Sequence, residues 1–186
     1  MKTNRRQVAF PRILLAFFCL AWMLFLFLLS AENAEQSSAR SEALTEKMVE
    51  MAVGHNSSLT GEEKKTWEGV LEPILRNAAH IGGYGILGAL YYLFAETFSL
   101  SQLLKGALSF AGAVLYALSD ELHQRSVPGR SMEWSDLVRD SCGAAAAVLF
   151  LMFVFFFSDV HGAEKTDECI PFPKRGMHPF LFFCIY

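Results

Sequence analysis

Four long apolar runs dominate the pattern of hydrophobic and polar positions along the chain. They lie at about 13–29, 78–95, 102–119 and 137–157, and the first of them contains no charged residue. About 20 apolar residues in a helix suffice to cross the hydrocarbon core of a bilayer. The pattern therefore predicts an all-α protein in which four transmembrane helices form a bundle.

A polar segment separates the first two apolar runs, and part of it has helical periodicity. Between Glu42 and Ala52, the apolar residues Leu44, Met48 and Met51 recur at intervals of three to four residues. This spacing puts them on one face, which is typical of a helix lying at a membrane surface. We therefore expect a short extracytoplasmic amphipathic helix between spans one and two.

The N-terminal flank indicates how the chain enters the membrane. Lys2, Arg5, Arg6 and Arg12 precede the first apolar run without any acid, and basic flanks of this kind stay in the cytoplasm. Residues 31–34 offer small side chains that fit a signal-peptide cleavage site, but the apolar run is longer and bulkier than a signal peptide requires. We expect a retained anchor in a multi-pass protein of the cell membrane.

The four runs also define the expected domain organisation. Residues 1–157 form one four-span membrane domain, and residues 158–186 form a cytoplasmic, partly disordered tail. Pro171 and Pro173 exclude a regular helix in part of this tail. An even number of spans returns the C-terminus to the side of the N-terminus, so both termini are expected in the cytoplasm.

Composition supports the membrane class and limits the partners. Hydrophobic residues make up 53% of the 186 residues and charged residues only 19%, below the quarter that is typical of soluble domains. The lipid bilayer is the expected partner, and a net charge of −3 gives no basis for nucleic-acid binding. The cysteines show no metal-ligand spacing. We expect neither a metal nor a cofactor.

Ionisable residues concentrate between spans three and four. The stretch from Asp120 to Asp140 lies between two apolar runs, at a hydrocarbon boundary where an isolated charge costs several kcal/mol. His80 and Tyr84 are four residues apart at the start of span two, so they share one helix face. If the small residues of spans two to four let these helices pack closely, His80 reaches the ionisable stretch.

Several of these residues form a pattern that resembles the VanZ-like membrane proteins, over about 13–157. The pattern consists of His80, Tyr84, Asp120, Glu121, Gln124, Pro128, Gly129, Arg130, Asp136 and Gly143. The resemblance implies a four-span envelope protein in a family named for a member associated with teicoplanin resistance, and it implies no defined reaction. Asp140 stands where the resemblance leads us to expect Asn, so we expect Asp140 to be protonated or paired with Arg130 or Arg139.

The candidate site is the set of polar residues expected at the outer ends of spans two to four. Its members are His80, Tyr84, Asp120, Glu121, Gln124, Arg130, Asp136 and Asp140. One interpretation is a structural lock, in which Arg130 pairs with Asp120 or Asp136 and His80 pairs with Glu121. The other is a ligand site, in which the planar guanidinium of Arg130 binds a phosphate or carboxylate.

Two classes of function fit the ligand interpretation. The first is non-enzymatic binding of an envelope lipid or peptidoglycan precursor, with an effect on glycopeptide susceptibility. The second is an enzyme acting on a lipid-linked cell-wall intermediate, with Glu121 or Asp120 as general base and His80 assisting. A metal site has suitable ligand types here but lacks tight ligand spacing. A transporter fits less well, because four spans are few and no charge lies mid-membrane.

Overall fold

The computed structural model describes residues 5–53 and 61–167, and within them every regular element is an α-helix. The helices are α1 (Arg5–Ser30), α2 (Ala34–Val53), α3 (Gly61–Glu96), α4 (Gln102–Gln124) and α5 (Trp134–Asp167). The predicted all-α fold is confirmed. α5 continues through the first residues of the predicted tail, and the remainder of that tail lies outside the described residues.

Four of the helices are long and apolar enough to cross a membrane. Their apolar segments are Phe10–Ser30, Lys65–Glu96, Gln102–Gln124 and Trp134–Ser158, each longer than the sequence pattern predicts. Bulky side chains such as Phe17 and Phe153 are about 60% exposed on the outside of the bundle, as expected for a surface that faces lipid. The predicted four-span bundle is confirmed.

The predicted amphipathic helix between the first two spans is α2. It begins at Ala34, earlier than the predicted start at Glu42, and it packs against α3. α3 starts well before the second apolar run and continues through Pro73, where the sequence favours a kink or a restart. The two helices therefore run beside each other beyond the end of α1.

α3 is the central helix, and it packs most closely against α5. A Cβ atom built on Gly88 would lie 3.0 Å from the carbonyl oxygen of Ala144, and one built on Gly85 would lie 3.4 Å from that of Gly143. A Cβ on Gly143 would collide with the backbone of Ile81. The small residues thus allow the close approach between helices that the sequence predicts.

Hydrogen bonds from large aromatic side chains attach α1 to the other spans. Trp22 Nε1 donates to the carbonyl oxygen of Gly83 at 2.9 Å, and the Tyr116 hydroxyl donates to that of Met23 at 2.6 Å. Leu26 packs between these contacts in the core cluster of α3 and α4. Trp22 and Tyr116, both partly buried, therefore pack their rings while satisfying their polar atoms.

A buried ion pair joins α3 to α4 at one end of the bundle. Lys105 Nζ lies 2.6 Å from Glu96 Oε2, and Lys105 is only 7% exposed. Arg12 of α1 donates to the carbonyl oxygen of Thr97 in the same region. These contacts close the end at which α3 turns into α4.

The opposite end of the bundle, called here the site end, collects the end of α1, the middle of α3, the end of α4 and the start of α5. A turn joins α4 to α5, and in it Gly129 has a φ of 76°, a conformation that glycine adopts without strain. A Cβ on Gly129 would lie 3.1 Å from the Cβ of Ala34. The turn therefore lies against the first residue of α2.

Candidate functional site

A cavity of about 330 Å³ opens at the site end of the bundle. One wall is polar and is formed by Ser30, His80, Tyr84, Asp120, Gln124 and Arg130. A second part of the wall is apolar and is formed by Phe25, Leu26, Leu29, Leu44 and Leu75. A cavity with these two walls suits a ligand that carries both a polar group and a hydrocarbon group.

The eight predicted site residues all lie at the site end, but they form two layers. Five of them line the cavity, namely His80, Tyr84, Asp120, Gln124 and Arg130. The other three, Glu121, Asp136 and Asp140, lie behind this wall and are at most 1% exposed. The residues of the second layer therefore do not line the cavity themselves.

His80 lies between two carboxylates of α5. Its Nδ1 atom is 3.0 Å from Asp140 Oδ1, and its Nε2 atom is 3.5 Å from Asp136 Oδ2. The two acids are four residues apart, so one face of α5 presents both of them to the imidazole ring. Because a neutral imidazole has a single N–H donor, contacts from both nitrogens suit an imidazolium.

The partners of these two acids differ from the expected ones. Asp140 pairs with His80, where Arg130 or Arg139 was expected. Arg139 pairs instead with Asp136 one helical turn away, and Arg76 lies 3.8 Å from the same carboxylate. Asp136 is therefore surrounded by three cationic groups.

Glu121 links α4 to the start of α5. Its Oε2 atom accepts a hydrogen bond at 2.9 Å from the backbone N–H of Glu133, the residue that precedes α5. Its Oε1 atom is buried and has no hydrogen-bond partner among the described residues. The lock interpretation paired His80 with Glu121, and the structure gives His80 the acids of α5 instead.

A group of incompletely bonded polar atoms surrounds Asp120 in the cavity wall. Gln124 Nε2 donates to Asp120 Oδ2 at 3.4 Å, and the hydroxyl groups of Ser30 and Tyr84 lie beside the same carboxylate. Asp120 Oδ1, Ser30 Oγ and the Tyr84 hydroxyl are all buried without a completed hydrogen bond to the described residues. Buried polar atoms in this state favour a further partner.

Arg130 bridges the turn after α4 to the end of α1. Its Nη2 atom donates to Gln124 Oε1 at 2.9 Å, and its Nη1 atom donates to the carbonyl oxygen of Ser30 at 3.3 Å. A cation at this position is stabilised by the partial negative charge at the C-terminus of α1. The hydrogen bonds of Arg130 thus run to an amide and a carbonyl group, whereas the lock interpretation gave it a carboxylate partner.

Neighbouring charges also act on Arg130. Burial lowers the pKa of its guanidinium, and the positive charge of Arg76 lowers it further, while Asp120, Glu121 and Asp136 raise it. An arginine stays protonated under such shifts, because its ordinary pKa lies far above neutrality. Arg130 therefore carries its full charge beside a second cation.

Two arginines in the cavity wall were not among the predicted site residues. Arg40 of α2 lines the cavity and pairs with Glu32, and Arg76 of α3 lines it with its side chain about half exposed. The sequence contained a signal for Arg76, since it precedes His80 by four residues and so shares its helix face. Arg40 lies in a polar segment and gave no such signal.

A metal site has no support from the described side chains. Among them, no three His, Cys, Asp or Glu residues are arranged so that they could hold a metal ion. His80 and its two acids come closest in residue type, and they contact one another directly. The polar wall is thus built from ion pairs and hydrogen bonds.

Comparison with known proteins gives one match. A family model described as VanZ/LLP1 matches residues 15–161, which include every residue of the cavity wall. No curated protein and no solved structure matches the chain. The matched region contains the site end and most of each of the four membrane-spanning helices.

Proposed function

The chain belongs to the VanZ/LLP1 family, and from this premise we propose a function for its cavity. The cavity faces outward and binds an anionic group of a cell-envelope molecule. The group is a phosphate or carboxylate on an envelope lipid or cell-wall precursor. Binding of such a molecule provides a route to altered susceptibility to teicoplanin-type glycopeptides, the phenotype that the family resemblance suggests. The observation that carries the proposal is a pair of arginines in a half-apolar cavity.

Electrostatics favour an anion between Arg76 and Arg130. Both side chains line the cavity, and they are close enough for the charge of Arg76 to lower the pKa of Arg130. A bound anion would remove this repulsion and accept charge-assisted hydrogen bonds from both guanidinium groups. The ligand would thereby give both guanidinium groups an acceptor and offset their positive charges.

Arg76 is the better of the two arginines for testing the site. Arg130 is engaged with Gln124 and Ser30, so its removal also disturbs the end of α1. Arg76 makes one longer contact, at 3.8 Å to Asp136, and its side chain is 52% exposed. Its replacement should therefore change ligand binding with a smaller effect on the fold.

The experiment measures binding of dodecyl phosphate to the purified full-length protein in a neutral detergent. Affinity is obtained from the rise of Tm with ligand concentration. We expect Arg76→Gln to weaken binding about tenfold or more, because a charge-assisted hydrogen bond is lost. Arg125→Gln is the matched control, since Arg125 is exposed and does not line the cavity. Equal affinity for dodecyl phosphate in wild type, Arg76→Gln and Arg130→Gln would refute the proposal.

A membrane enzyme is the second candidate function, and the position of Asp120 in the cavity wall favours it. Asp120 lines the cavity, and its Oδ1 atom has no hydrogen-bond partner among the described residues. A general base needs an oxygen atom that can accept a proton from the substrate. Glu121 suits this role less, because it lies behind the wall and accepts a hydrogen bond from Glu133. Of the two acids, Asp120 is therefore the one that we propose as the general base of such an enzyme.

Asp120→Asn separates the two candidates in cells that lack the native gene. A binding protein keeps its effect on glycopeptide susceptibility, because the amide preserves shape and hydrogen bonding. An enzyme loses this effect at normal expression, and a lipid-linked precursor accumulates. The accumulated precursor then identifies the substrate class.

A further inference from the structure

We propose that the ligand is a lipid whose anionic group is joined directly to its hydrocarbon chain, as in an alkyl or polyprenyl phosphate. It enters sideways from the outer leaflet, and its chain remains in the bilayer while its anionic group occupies the cavity. This inference rests on the proposed function and names the substrate class of the same site.

The first observation is that part of the apolar wall is well exposed. Phe25 of α1 and Leu44 of α2 both line the cavity, and they are 47% and 53% exposed. α2 packs mainly against α3, and its direct contact with α1 in the described residues is slight. The lateral opening of the cavity, called here the portal, is therefore assigned to the space between Phe25 and Leu44.

The second observation is the depth of this portal. Phe25 precedes Ser30, the last residue of α1, by more than one helical turn, or about 7 Å along the helix axis. It also lies within the segment of α1 that is apolar enough to cross a membrane. The α1 side of the portal therefore faces hydrocarbon, and a chain that leaves along Phe25 enters an apolar environment.

The third observation is the small size of the cavity. At about 330 Å³ it is near the lower limit for binding sites of small ligands. Apolar and polar side chains line this one small volume together. These dimensions fit a phosphate and the first carbons of its chain, with the remaining carbons outside the portal. A large soluble precursor would leave the apolar wall without a partner.

The experiment compares dodecyl phosphate with inorganic phosphate on the detergent-purified full-length protein. The portal variant, Phe25→Trp with Leu44→Trp, narrows the opening without changing charge. We expect it to weaken dodecyl phosphate binding about tenfold and to leave inorganic phosphate binding unchanged. The matched control is Leu24→Trp with Met51→Trp, which enlarges exposed side chains on the same helices away from the cavity wall. It should bind both probes like wild type.

A second measurement locates the chain directly. Dodecyl phosphate with a photoreactive diazirine near the middle of its chain should label the protein at Phe25 and Leu44, and Arg76→Gln should reduce the labelling. If the portal variant binds dodecyl phosphate normally and the label falls elsewhere, the lateral-entry inference is wrong and anion binding stands. If neither probe depends on Arg76 or Arg130, anion binding itself fails.

Discussion

Single residues at the site end have separable tasks, because some touch the cavity and others orient those that do. His80 illustrates this division: its ring lines the cavity, while Asp140 and Asp136 contact its two nitrogens from behind. An imidazole held at both nitrogens cannot rotate without losing a contact. The acids of α5 thus fix the donor direction of His80.

Asp140→Ala should destabilise the protein by about 3 kcal/mol. The substitution removes one partner of a buried pair and leaves Nδ1 of His80 without an acceptor. The measurement is thermal unfolding in detergent, with Tm as the readout. Asp140→Asn is the matched variant: it retains an acceptor oxygen and should cost about 1 kcal/mol. Equal losses for the two variants would show that the bond to His80 does not stabilise the fold.

At the scale of the helices, the contact between α3 and α5 determines whether the site assembles. This contact places His80 opposite Asp136 and Asp140, and it depends on the absence of side chains at Gly88 and Gly143. Van der Waals packing is the main attraction between helices within lipid. A small increase in the distance between the two helices would therefore lengthen the contacts of His80 with Asp136 and Asp140.

Gly88→Val should lower the free energy of unfolding by about 1–3 kcal/mol, because the new side chain overlaps the backbone of Ala144. It should also weaken dodecyl phosphate binding, since His80 moves away from the acids of α5. Gly82→Val is the control, as a Cβ on Gly82 has no neighbour within 4 Å. Similar unfolding temperatures for the two variants would contradict the close packing.

The helices themselves could be predicted from the sequence because length and apolarity suffice to identify a membrane span. The boundaries were less accurate: α2 begins at Ala34, and α3 continues through Pro73. Proline in the interior of a helix removes one backbone hydrogen bond, and packing of α3 against α2 offsets this cost. Such compensation depends on tertiary contacts, which cannot be predicted from the sequence of α3 alone.

The clustering of these polar residues at one end of the bundle could be predicted, whereas their pairing could not. Residue type and membrane depth brought His80, Asp120 and Arg130 to one end of the bundle. The partner of each depends on rotations of whole helices by tens of degrees, which sequence spacing does not determine. His80 therefore meets Asp140 rather than Glu121, and Arg130 meets the end of α1 rather than an acid.

At the scale of the whole molecule, orientation in the membrane decides which compartment the cavity serves. The loop between α4 and α5 adjoins the cavity, while the loop between α3 and α4 lies at the opposite end. The basic N-terminal flank favours an outward cavity. Over the whole chain, flank included, Lys and Arg divide evenly between the two predicted sides, so the orientation calls for a direct measurement.

Cysteine labelling in intact cells should show the site end outside. Ser126→Cys and Ser99→Cys place an exposed thiol in each loop, in a chain whose native cysteines have been replaced. A membrane-impermeant maleimide should label the Ser126→Cys protein in intact cells and the Ser99→Cys protein only after permeabilisation. The reverse pattern would place the cavity on the cytoplasmic side and end its proposed role toward outer-leaflet ligands.

The bond between Arg130 and the end of α1 also has a consequence for biogenesis. Arg130 follows Ser30 by 100 residues, so α1 is synthesised and inserted long before its terminal carbonyl group acquires this cation. The loop that carries Arg130 also lies against Ala34 and fixes the start of α2. The cavity is therefore completed late in translation, and a nascent chain that stops before this loop holds its first three spans without a complete cavity.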